Sequence, residues 1–508
     1  MEHVKVLKII NELEKRFPMD EWKAGEHHVW PLVRIKLAFL LYLDGTPKAD
    51  SPMAPVDPGK PFSISKKIKT IVNWQNRSIK HRIDNYFVEK KIKRPGTIAF
   101  FSLVANRTLL ENVWHNRSVD PIVDDLKNWG LPLALFEYKG YGAFKFPRYN
   151  NEICINFDQV FNSNITNKTI PGDAISLPRY DEFLTSVKAE FPQLETKTIS
   201  REVTVKTMDY FDAAVAYFYK LLKNSGIQIC FTTCYYEMKM MALIAACKKA
   251  NIRSVELPHG THGDTHAGYG KWMKVPQQGY AALPDVFWCW SRYEKAAIDE
   301  WSVPQRTPHK AVVGGNPWLQ AWKDDNHPMV KKFDAKINTL KKEGQLQILY
   351  TVQPFGTFDE ALPPYVIEAI RRSPANWQWL VRLHPRQAQP LSQFEKVLKQ
   401  EAPNANCNIK EATELPLPAL LRHADVHFTA FSSTVVEAAA FNVPSVVFEN
   451  GNAIFKTLVV PELLHCSDTN AKSIIEGIQI QLNNPYEQAA EEIDFKAVLK
   501  KLLGNSQG

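Results

Sequence analysis

Apolar strand-like runs that alternate with amphipathic helical stretches predict an α/β protein made of two Rossmann-like, doubly wound domains. The alternation begins at Thr97 and restarts near Gln345, and 508 residues are too many for one ordinary core. We predict a helical and basic extension over 1–95, domains over 96–320 and 321–485, and a C-terminal helix over 486–508.

The start of the chain reads as helical. Met1–Phe17 is amphipathic and charged, without the apolar run and cleavage site of a signal peptide. Val29–Leu43 is apolar, but Arg34 and Lys36 interrupt it and it falls short of the ~20 residues that span a bilayer. Seven scattered cysteines are typical of a reducing compartment. These features predict a soluble, cytoplasmic protein.

A Pro-rich linker over 44–63 leads into a strongly basic segment. Between Ser63 and Arg94, ten Lys or Arg stand against two acids, an excess equal to the +8 net charge of the whole chain. Isoleucines recur through it at near-helical spacing. A basic amphipathic helix indicates contact with an anionic surface, such as the inner face of the plasma membrane, but a solvated helix has the same pattern. Both interpretations stay open.

Short buried strands define both predicted domains. Those of the first domain are Thr97–Leu103, Pro132–Tyr138, Ile227–Thr233, Ser254–Leu257, Asp285–Trp290 and Lys310–Gly314. Those of the second are Leu346–Val352, Trp377–His384, Asn408–Glu411, Val426–Ala430 and Ser445–Glu449. Helices are predicted between them, among others over Asp359–Arg372 and Ser433–Phe441. Two such domains that face a cleft form the GT-B architecture, with ligands at the carboxyl ends of the strands.

Two strand ends of the second domain carry polar groups suited to a phosphate. His384 ends one strand, and Arg382 lies two residues earlier on the same face. Ser432 and Ser433 precede a helix whose first amide groups could bind an anion, and Thr434 follows them.

Glu437 lies one turn later and could reach a ribose hydroxyl. A loop-capping imidazole and a plain helix cap would produce the same patterns. The pairing of the two features at strand ends of one sheet favours a nucleotide site.

The segments RLHP (Arg382–Pro385) and SSTVVEAAAFNVPSVVF (Ser432–Phe448) resemble motifs of bacterial GT-B enzymes that use cytidine-nucleotide donors. These are the capsule sialyl- and polysialyltransferases, the Kdo transferases and the teichoic-acid glycerophosphate polymerases. The resemblance covers about the last 170 residues well and the N-terminal half only in outline. It implies that His384, Ser432 and Ser433 contact the cytidylate phosphate.

A second resemblance lies in the first domain. Pro258-His259-Gly260-Thr261 follows a strand, as the His-Gly-Thr of the glycerophosphate polymerases does, where the His is a proposed base. Sialyltransferases of this type carry an acidic motif that ends in Gly in the corresponding region, and it is absent here, which leaves the base open. His259, Asp264 and Glu256 are the candidates for the catalytic acid, base or nucleophile.

The loop over 259–270 contains three His and four Gly. His259, His262 and His266 suggest zinc ligands, but glycine-rich loops seldom fix tetrahedral ligands and no Cys completes the set. We predict no metal and no cofactor beyond the donor.

The sequence predicts transfer of an acidic sugar, Kdo or a sialic acid, from a CMP-activated donor to a glycan or glycolipid acceptor of a surface polysaccharide. A CDP-alditol phosphotransferase of the same fold and a non-catalytic nucleotide- or glycan-binding scaffold are the alternatives. No nucleic-acid partner is predicted.

Overall fold

A computed structural model shows two compact units, one formed by Met1–Gly315 with Asp494–Gly508 and the other by Asn316–Ile493. We call them unit one and unit two. The structure describes residues 3–43, 88, 90–140, 142–158, 161, 165, 169–354, 357–385, 387, 389–448, 455–456, 458–483 and 493–504. The linker and most of the basic segment, residues 44–87, lie outside this range, so their predicted roles stay predictions.

Unit one is built on a seven-stranded parallel sheet. Its described strands are β1 (Lys23–Ala24), β2 (His27–His28), β3 (Thr97–Leu103), β4 (Arg107–Leu110), β5 (Val113–Asn116), β6 (Leu133–Tyr138), β7 (Cys154–Asn156), β8 (Ile175–Ser176), β9 (Ile227–Thr233), β10 (Arg253–Leu257), β11 (Val286–Cys289) and β12 (Lys310–Val313). The large sheet has the order β12-β11-β10-β9-β3-β6-β7, with β1, β2 and β8 in a small sheet and β4–β5 as a hairpin.

Helices cover this sheet on both faces. They are α1 (His3–Arg16), α2 (Trp30–Leu43), α3 (Asp120–Asn128), α4 (Tyr180–Glu190), α5 (Arg201–Lys223), α6 (Met238–Lys249), α7 (Arg292–Ser302) and, from the C terminus, α17 (Phe495–Gly504). Ala99 and Phe101 of β3 pack in one apolar cluster, and Ile98 and Phe100 pack in another. Successive side chains of a strand point to opposite faces, so an uninterrupted apolar run fits a strand covered on both sides.

Unit two repeats the arrangement with six parallel strands in the order β15-β14-β13-β16-β17-β18. The strands are β13 (Leu346–Thr351), β14 (Trp377–Arg382), β15 (Asn406–Asn408), β16 (Val426–Thr429), β17 (Ser445–Val447) and β18 (Leu464–Cys466). The helices are α8 (Pro317–Lys323), α9 (Pro328–Asn338), α10 (Phe358–Ala361), α11 (Pro364–Arg372), α12 (Leu391–Glu401), α13 (Lys410–Glu414), α14 (Leu417–His423), α15 (Thr434–Ala440) and α16 (Ala471–Asn483).

The predicted fold class is confirmed: both units are Rossmann-like α/β units with parallel sheets, the composition of the GT-B class, and helices open the chain. The boundary between the units follows Gly315, whose φ is +69°. A Cβ on Gly314 would come within 1.9 Å of the Trp288 ring, so only glycine fits there. In the described part of the chain, no helix is both long and apolar enough to cross a membrane.

Two predicted elements of unit two differ from the structure. The helix expected over Asp359–Arg372 is divided into α10 and α11, because Pro363 and Pro364 interrupt helical hydrogen bonding. The prediction of a strand over Asn408–Glu411 is wrong except at Asn408. Asn408 ends β15, and its side-chain oxygen accepts from the Ala412 amide at 3.2 Å, which favours the start of α13.

The N-terminal helices belong to the core of unit one through a buried ion pair. Arg34 of α2 and Glu14 of α1 are both fully buried, with 2.9 Å between Nε and Oε1. The other guanidinium nitrogens of Arg34 donate to the carbonyl oxygens of Ala267, Gly270 and Lys271. Trp30 and the Met273 amide donate to the Glu14 carboxylate at 2.7 and 2.9 Å. The first two helices therefore hold the segment that ends the candidate loop.

Replacing Arg34 with Met should destabilise the protein by about 3–5 kcal/mol, because it leaves the Glu14 carboxylate buried and unpaired. Urea unfolding measures the loss. Arg34→Met/Glu14→Leu should recover part of it, since neither charge then remains buried.

Lys15→Ala is the matched control on α1, because Lys15 and Glu12 form an exposed pair. The control should unfold like the wild type. An Arg34→Met variant that also unfolds like the wild type would contradict the importance of this ion pair.

Candidate functional site

The structure brings the two predicted donor segments to one edge of the second sheet. β14 and β16 both pair with β13, one on each side. His384 is the second residue after β14, and Ser432 is the third after β16. Neighbouring strands are ~4.8 Å apart, so β14 and β16 are separated by about 10 Å at this edge. A single phosphate-bearing ligand can span that distance.

A chain of buried polar side chains holds these strand ends. The His427 ring bonds to the Thr351 hydroxyl at 2.8 Å and to the Ser445 hydroxyl at 2.9 Å. Thr429 donates to the Thr351 carbonyl at 2.9 Å, and Gln353 donates to the Thr429 hydroxyl at 3.3 Å. Burial lowers the pKa of His427 to about 3, so the ring stays neutral and can donate on one nitrogen while it accepts on the other.

Ser432 and Ser433 have different surroundings. Ser433 is the N-cap of α15 but makes no capping bond through its side chain, and it is exposed. The Ser432 hydroxyl accepts from the Thr434 amide at 3.2 Å and donates to the Thr434 hydroxyl at 2.9 Å. Glu437 lies half-buried in the same helix. Ser433 therefore does not form the alternative capping box, and its hydroxyl lies at the surface.

Arg382 braces the edge beside His384. Its Nη1 donates to the carbonyl oxygens of Ala412, Thr413 and Leu415 at the end of α13. The next residue, Leu383, donates through its amide to the Thr413 hydroxyl at 3.1 Å. These bonds fix the end of β14, where His384 is half-buried. A direct contact between Arg382 and a donor stays a prediction.

At the carboxyl edge of the first sheet, His259 lies at the surface. Its Nε2 is 3.3 Å from the Tyr236 hydroxyl. Desolvation of the ring and the guanidinium of Arg117 lower the pKa of His259, which favours the neutral imidazole that a general base requires.

Asp264 has partners for both carboxylate oxygens. Oδ1 accepts from the Tyr293 hydroxyl at 2.5 Å, and Oδ2 lies 3.4 Å from the Lys271 ammonium. The side chain remains about a third exposed. The structure therefore places Asp264 at the surface of the loop, where it is already hydrogen-bonded.

Glu256 lies beneath the loop. It is fully buried, and Oε1 accepts from the Tyr269 hydroxyl at 2.7 Å, while Oε2 has no hydrogen-bond partner among the described residues. Burial raises the pKa of Glu256 to about 8; the Tyr269 hydrogen bond opposes the rise, and the charge of Glu294 adds to it. Its candidacy as a catalytic acid or base stays a prediction, and its burial fits a supporting position better.

A second buried pair lies beside Glu256. The His262 ring stacks on Tyr269 with centroids 3.9 Å apart, and its Nε2 is 3.7 Å from Oε2 of Glu294. Burial lowers the pKa of His262 to about 3 and raises that of Glu294 to about 7. His262, Tyr269 and Glu294 therefore support the loop from below.

The loop histidines do not converge on a common point. Within the described residues, the atoms of one set lie close enough to share an ion, those of Glu26, His27 and Asp212. There the Lys249 ammonium is 2.5 Å from the Glu26 carboxylate and supplies the positive charge itself. These residues are unrelated to the zinc interpretation of the loop, and the predicted independence from metals stays a prediction.

Several residues of the site could not be picked out from the sequence. Tyr236, Tyr269 and Arg34 carry no motif that would link them to the loop. Glu294 did have a signal: Ser291 and Glu294 form the S-x-x-E pattern of a helix start, and Ser291 accepts from the Glu294 amide at 3.2 Å.

No family model matches the chain, and neither does any curated protein. Among solved structures, UDP-GlcNAc 2-epimerase from Neisseria meningitidis bound to UDP-GlcNAc is similar at 12% identity and a TM-score of 0.48, over 80% of this chain and 100% of that one. UDP-GlcNAc 2-epimerase from Methanocaldococcus jannaschii is 11% identical with a TM-score of 0.46, over 80% and 99%. The wall teichoic acid polymerase TagF is 13% identical with a TM-score of 0.45, over 87% and 98%. Similarity at this level assigns no residue role.

The raised pKa of Glu256 predicts a pH-dependent stability. The folded protein keeps this proton to about pH 8 whereas an unfolded Glu loses it near 4.5, so the contribution is complete below pH 4.5 and is lost as the pH rises through 8. Glu256→Gln cannot ionise and still accepts from Tyr269. The free energy of unfolding of the variant relative to the wild type should rise by at least about 1 kcal/mol between pH 5 and pH 8.5.

Urea unfolding of the variant and the wild type at both pH values measures the difference in their free energies of unfolding. The contributions of the other titrating groups are the same in both proteins and cancel in this difference. Glu300→Gln, on the exposed side of α7, is the control and should show no such rise. A constant difference between Glu256→Gln and the wild type would mean that Glu256 is ionised throughout this range.

Proposed function

We propose that this protein is a glycosyltransferase that moves an acidic sugar, of the Kdo or sialic-acid type, from a CMP-activated donor to a surface-polysaccharide acceptor. The observation that carries the proposal is the delivery of His384 and of Ser432–Ser433 to one carboxyl edge, on either side of β13. Both segments also resemble the phosphate-contacting motifs of transferases that use cytidine nucleotides.

The chemistry of the leaving group supports this assignment. When the bond from the sugar to the phosphate breaks, negative charge develops on CMP. Donors that are already in place stabilise such charge without reorganisation, which is the largest contribution in many transferases. In the proposal the His384 ring and the exposed Ser433 hydroxyl supply these donors, and Glu437 meets the ribose. The first three amides of α15 are already bonded to the Ser432 hydroxyl and to the Ser432 and Ser433 carbonyl oxygens. This reaction requires no metal ion.

His259 is the proposed base for the acceptor hydroxyl. It is exposed, and its lowered pKa keeps the imidazole neutral and able to take a proton at pH 7. Both oxygens of Asp264 are engaged, and Glu256 is fully buried. A neutral base without a free carboxylate nucleophile favours inversion at the anomeric carbon. Retention would require Asp264 to leave its partners and form a covalent adduct.

A CDP-alditol phosphotransferase is the second candidate. The observation that favours it is the exposure of His259 within His-Gly-Thr, the motif that resembles the glycerophosphate polymerases. The leaving group is CMP for both candidates, but the second transfers an alditol phosphate and the first transfers a sugar. A purified enzyme supplied with CMP-Kdo, CMP-sialic acid and CDP-glycerol distinguishes the two by which donor it consumes.

His384→Ala and the double change Ser432→Ala/Ser433→Ala should each lower donor turnover by ~10²–10³, because each removes groups that stabilise charge on the departing phosphate.

His259→Ala should lower turnover to a similar extent but leave the affinity for CMP unchanged. Release of CMP measures turnover, and calorimetry measures affinity.

The matched control is His465→Ala, a half-buried histidine of the edge strand β18, which should turn over like the wild type. Wild-type turnover in the His384 or the double-serine variant would refute the phosphate site. Loss of CMP affinity in His259→Ala would place the His259 loop in the donor site and refute its role as the acceptor base.

A further inference from the structure

Two segments at the carboxyl edge of the first sheet form one surface. The β4–β5 hairpin follows β3, and the loop over 142–150 follows β6, the neighbouring strand. The Trp114 amide donates to the Pro147 carbonyl at 2.9 Å, and the Tyr149 amide donates to the Trp114 carbonyl at 3.0 Å. We call the side chains of Leu109, Trp114, Lys145 and Phe146 the aromatic platform; Leu109 of β4 pairs with Trp114 of β5, so these two share one face of the hairpin.

The aromatic platform exposes apolar side chains. Phe146 is 57% exposed and Leu109 is 45% exposed. Nine large hydrophobic side chains are exposed in the described part of the chain, and the hairpin and this loop supply three of them, these two and Tyr149. Clustered exposed apolar side chains mark binding surfaces, whereas single ones need no explanation. On the opposite face of β5, the His115 and Tyr149 rings stack at 4.3 Å and the Tyr149 hydroxyl donates to Asp124, so this loop is held against the hairpin.

Cations are interleaved with the rings. The Lys145 ammonium lies 4.5 Å from the centre of the Trp114 ring, and the Arg148 guanidinium lies 4.4 Å from the centre of Phe146. Lys139 lies 5.2 Å from the centre of Phe144. The aromatic platform therefore presents ring faces and positive charge together.

A buried triad underlies the surface and fixes both segments. Glu137 of β6 accepts from Arg107 of β4 at 2.6 Å and from Arg148 at 2.7 Å, and all three side chains are buried. Two guanidinium groups therefore share one carboxylate. Because each residue comes from a different segment, the hairpin and the loop are held before any ligand arrives.

The platform adjoins the proposed base. Arg117 follows β5 directly, and its charge contributes to the lowered pKa of His259. In the sheet, β3 and β10 are separated by β9 alone. The hairpin and His259 are therefore neighbours at one edge of unit one.

We propose that the aromatic platform binds an acidic oligosaccharide, the growing acceptor glycan, and that it does so in the enzyme described under Proposed function. The C–H groups on one side of a pyranose ring are attracted to the negative face of an aromatic ring, which Phe146 offers. Lys145 and Arg117 attract the carboxylates. Each transfer adds one more acidic sugar to the glycan. The product therefore carries the same pyranose rings and carboxylates as the acceptor and binds to the same surface.

Fluorescence anisotropy with labelled probes tests this on the full-length chain. The probes are an oligomer of six α2,8-linked sialic acids, maltohexaose with rings but no charge, poly(glycerol phosphate) with charge but no rings, and a six-residue oligothymidylate. The sialic-acid oligomer should bind at least tenfold more tightly than the other three. Phe146→Ala and Lys145→Ala should each weaken it at least fivefold.

Matched controls separate the platform from general effects. Val303→Ala removes an exposed apolar side chain just after α7, at the opposite edge of the sheet, and Lys188→Ala removes an exposed cation of α4. Both should bind the oligomer like the wild type. Melting temperatures confirm that the platform variants are folded.

Equal binding of the sialic-acid oligomer by the platform variants and the wild type would overturn the proposal, and so would its failure to bind the wild type. Equally tight, Phe146-dependent binding of oligothymidylate would make the surface a nucleic-acid site and also overturn it. The outcome is independent of the proposed function, because binding of the labelled oligomer is measured without donor and requires no turnover. If the wild type does not hydrolyse the donor, the proposed function is wrong, but the binding surface is not contradicted.

Discussion

The buried ion pair between Arg34 and Glu14 is the constraint on which the shape of unit one depends. Two charges with no exposure to water are tolerated only if all their hydrogen-bonding groups have partners. Those partners come from α1, α2 and the end of the loop over 259–273, which are thereby joined. The loop is also tightly packed: a Cβ on Gly270 would come within 2.1 Å of the Asp264 carbonyl oxygen. A glycine-rich loop that would otherwise be free is held in one conformation, with His259 at its surface.

The two units use the same device with different side chains. In each, parallel strands bring residues that are far apart in sequence to one carboxyl edge. In unit two the edge is held by a hydrogen-bonded chain through His427, and the exposed groups suit an anion. In unit one the edge is held by buried ion pairs, and the exposed groups suit proton transfer and a glycan. The groups that hold each edge in place are buried, whereas the groups proposed to react are exposed. The exposed side chains can therefore be replaced without loss of the fold.

The strands could be predicted closely from the sequence, because buried strands of parallel sheets are short, continuous apolar runs: β3 and β9 have the predicted bounds. The positions of His384 and Ser433 at the carboxyl edge could be predicted as well, because they depend only on where β14 and β16 end. The β4–β5 hairpin was not predicted, because its strands have four residues each and mix apolar with polar side chains without a clear alternation. The contacts of Arg34 with Ala267 and of Arg107 with Glu137 join distant segments and left no local pattern.

The central claim is that unit two holds a cytidine monophosphate leaving group, and nucleotide protection of the intact chain tests it most directly. A ligand at 100 times its dissociation constant adds ~2.7 kcal/mol of stability, which is visible as a shift in melting temperature. The account predicts that CMP raises the melting temperature more than CDP, UDP, GMP or AMP does, and that His384→Ala removes the shift. A shift with CDP or UDP but none with CMP would contradict it.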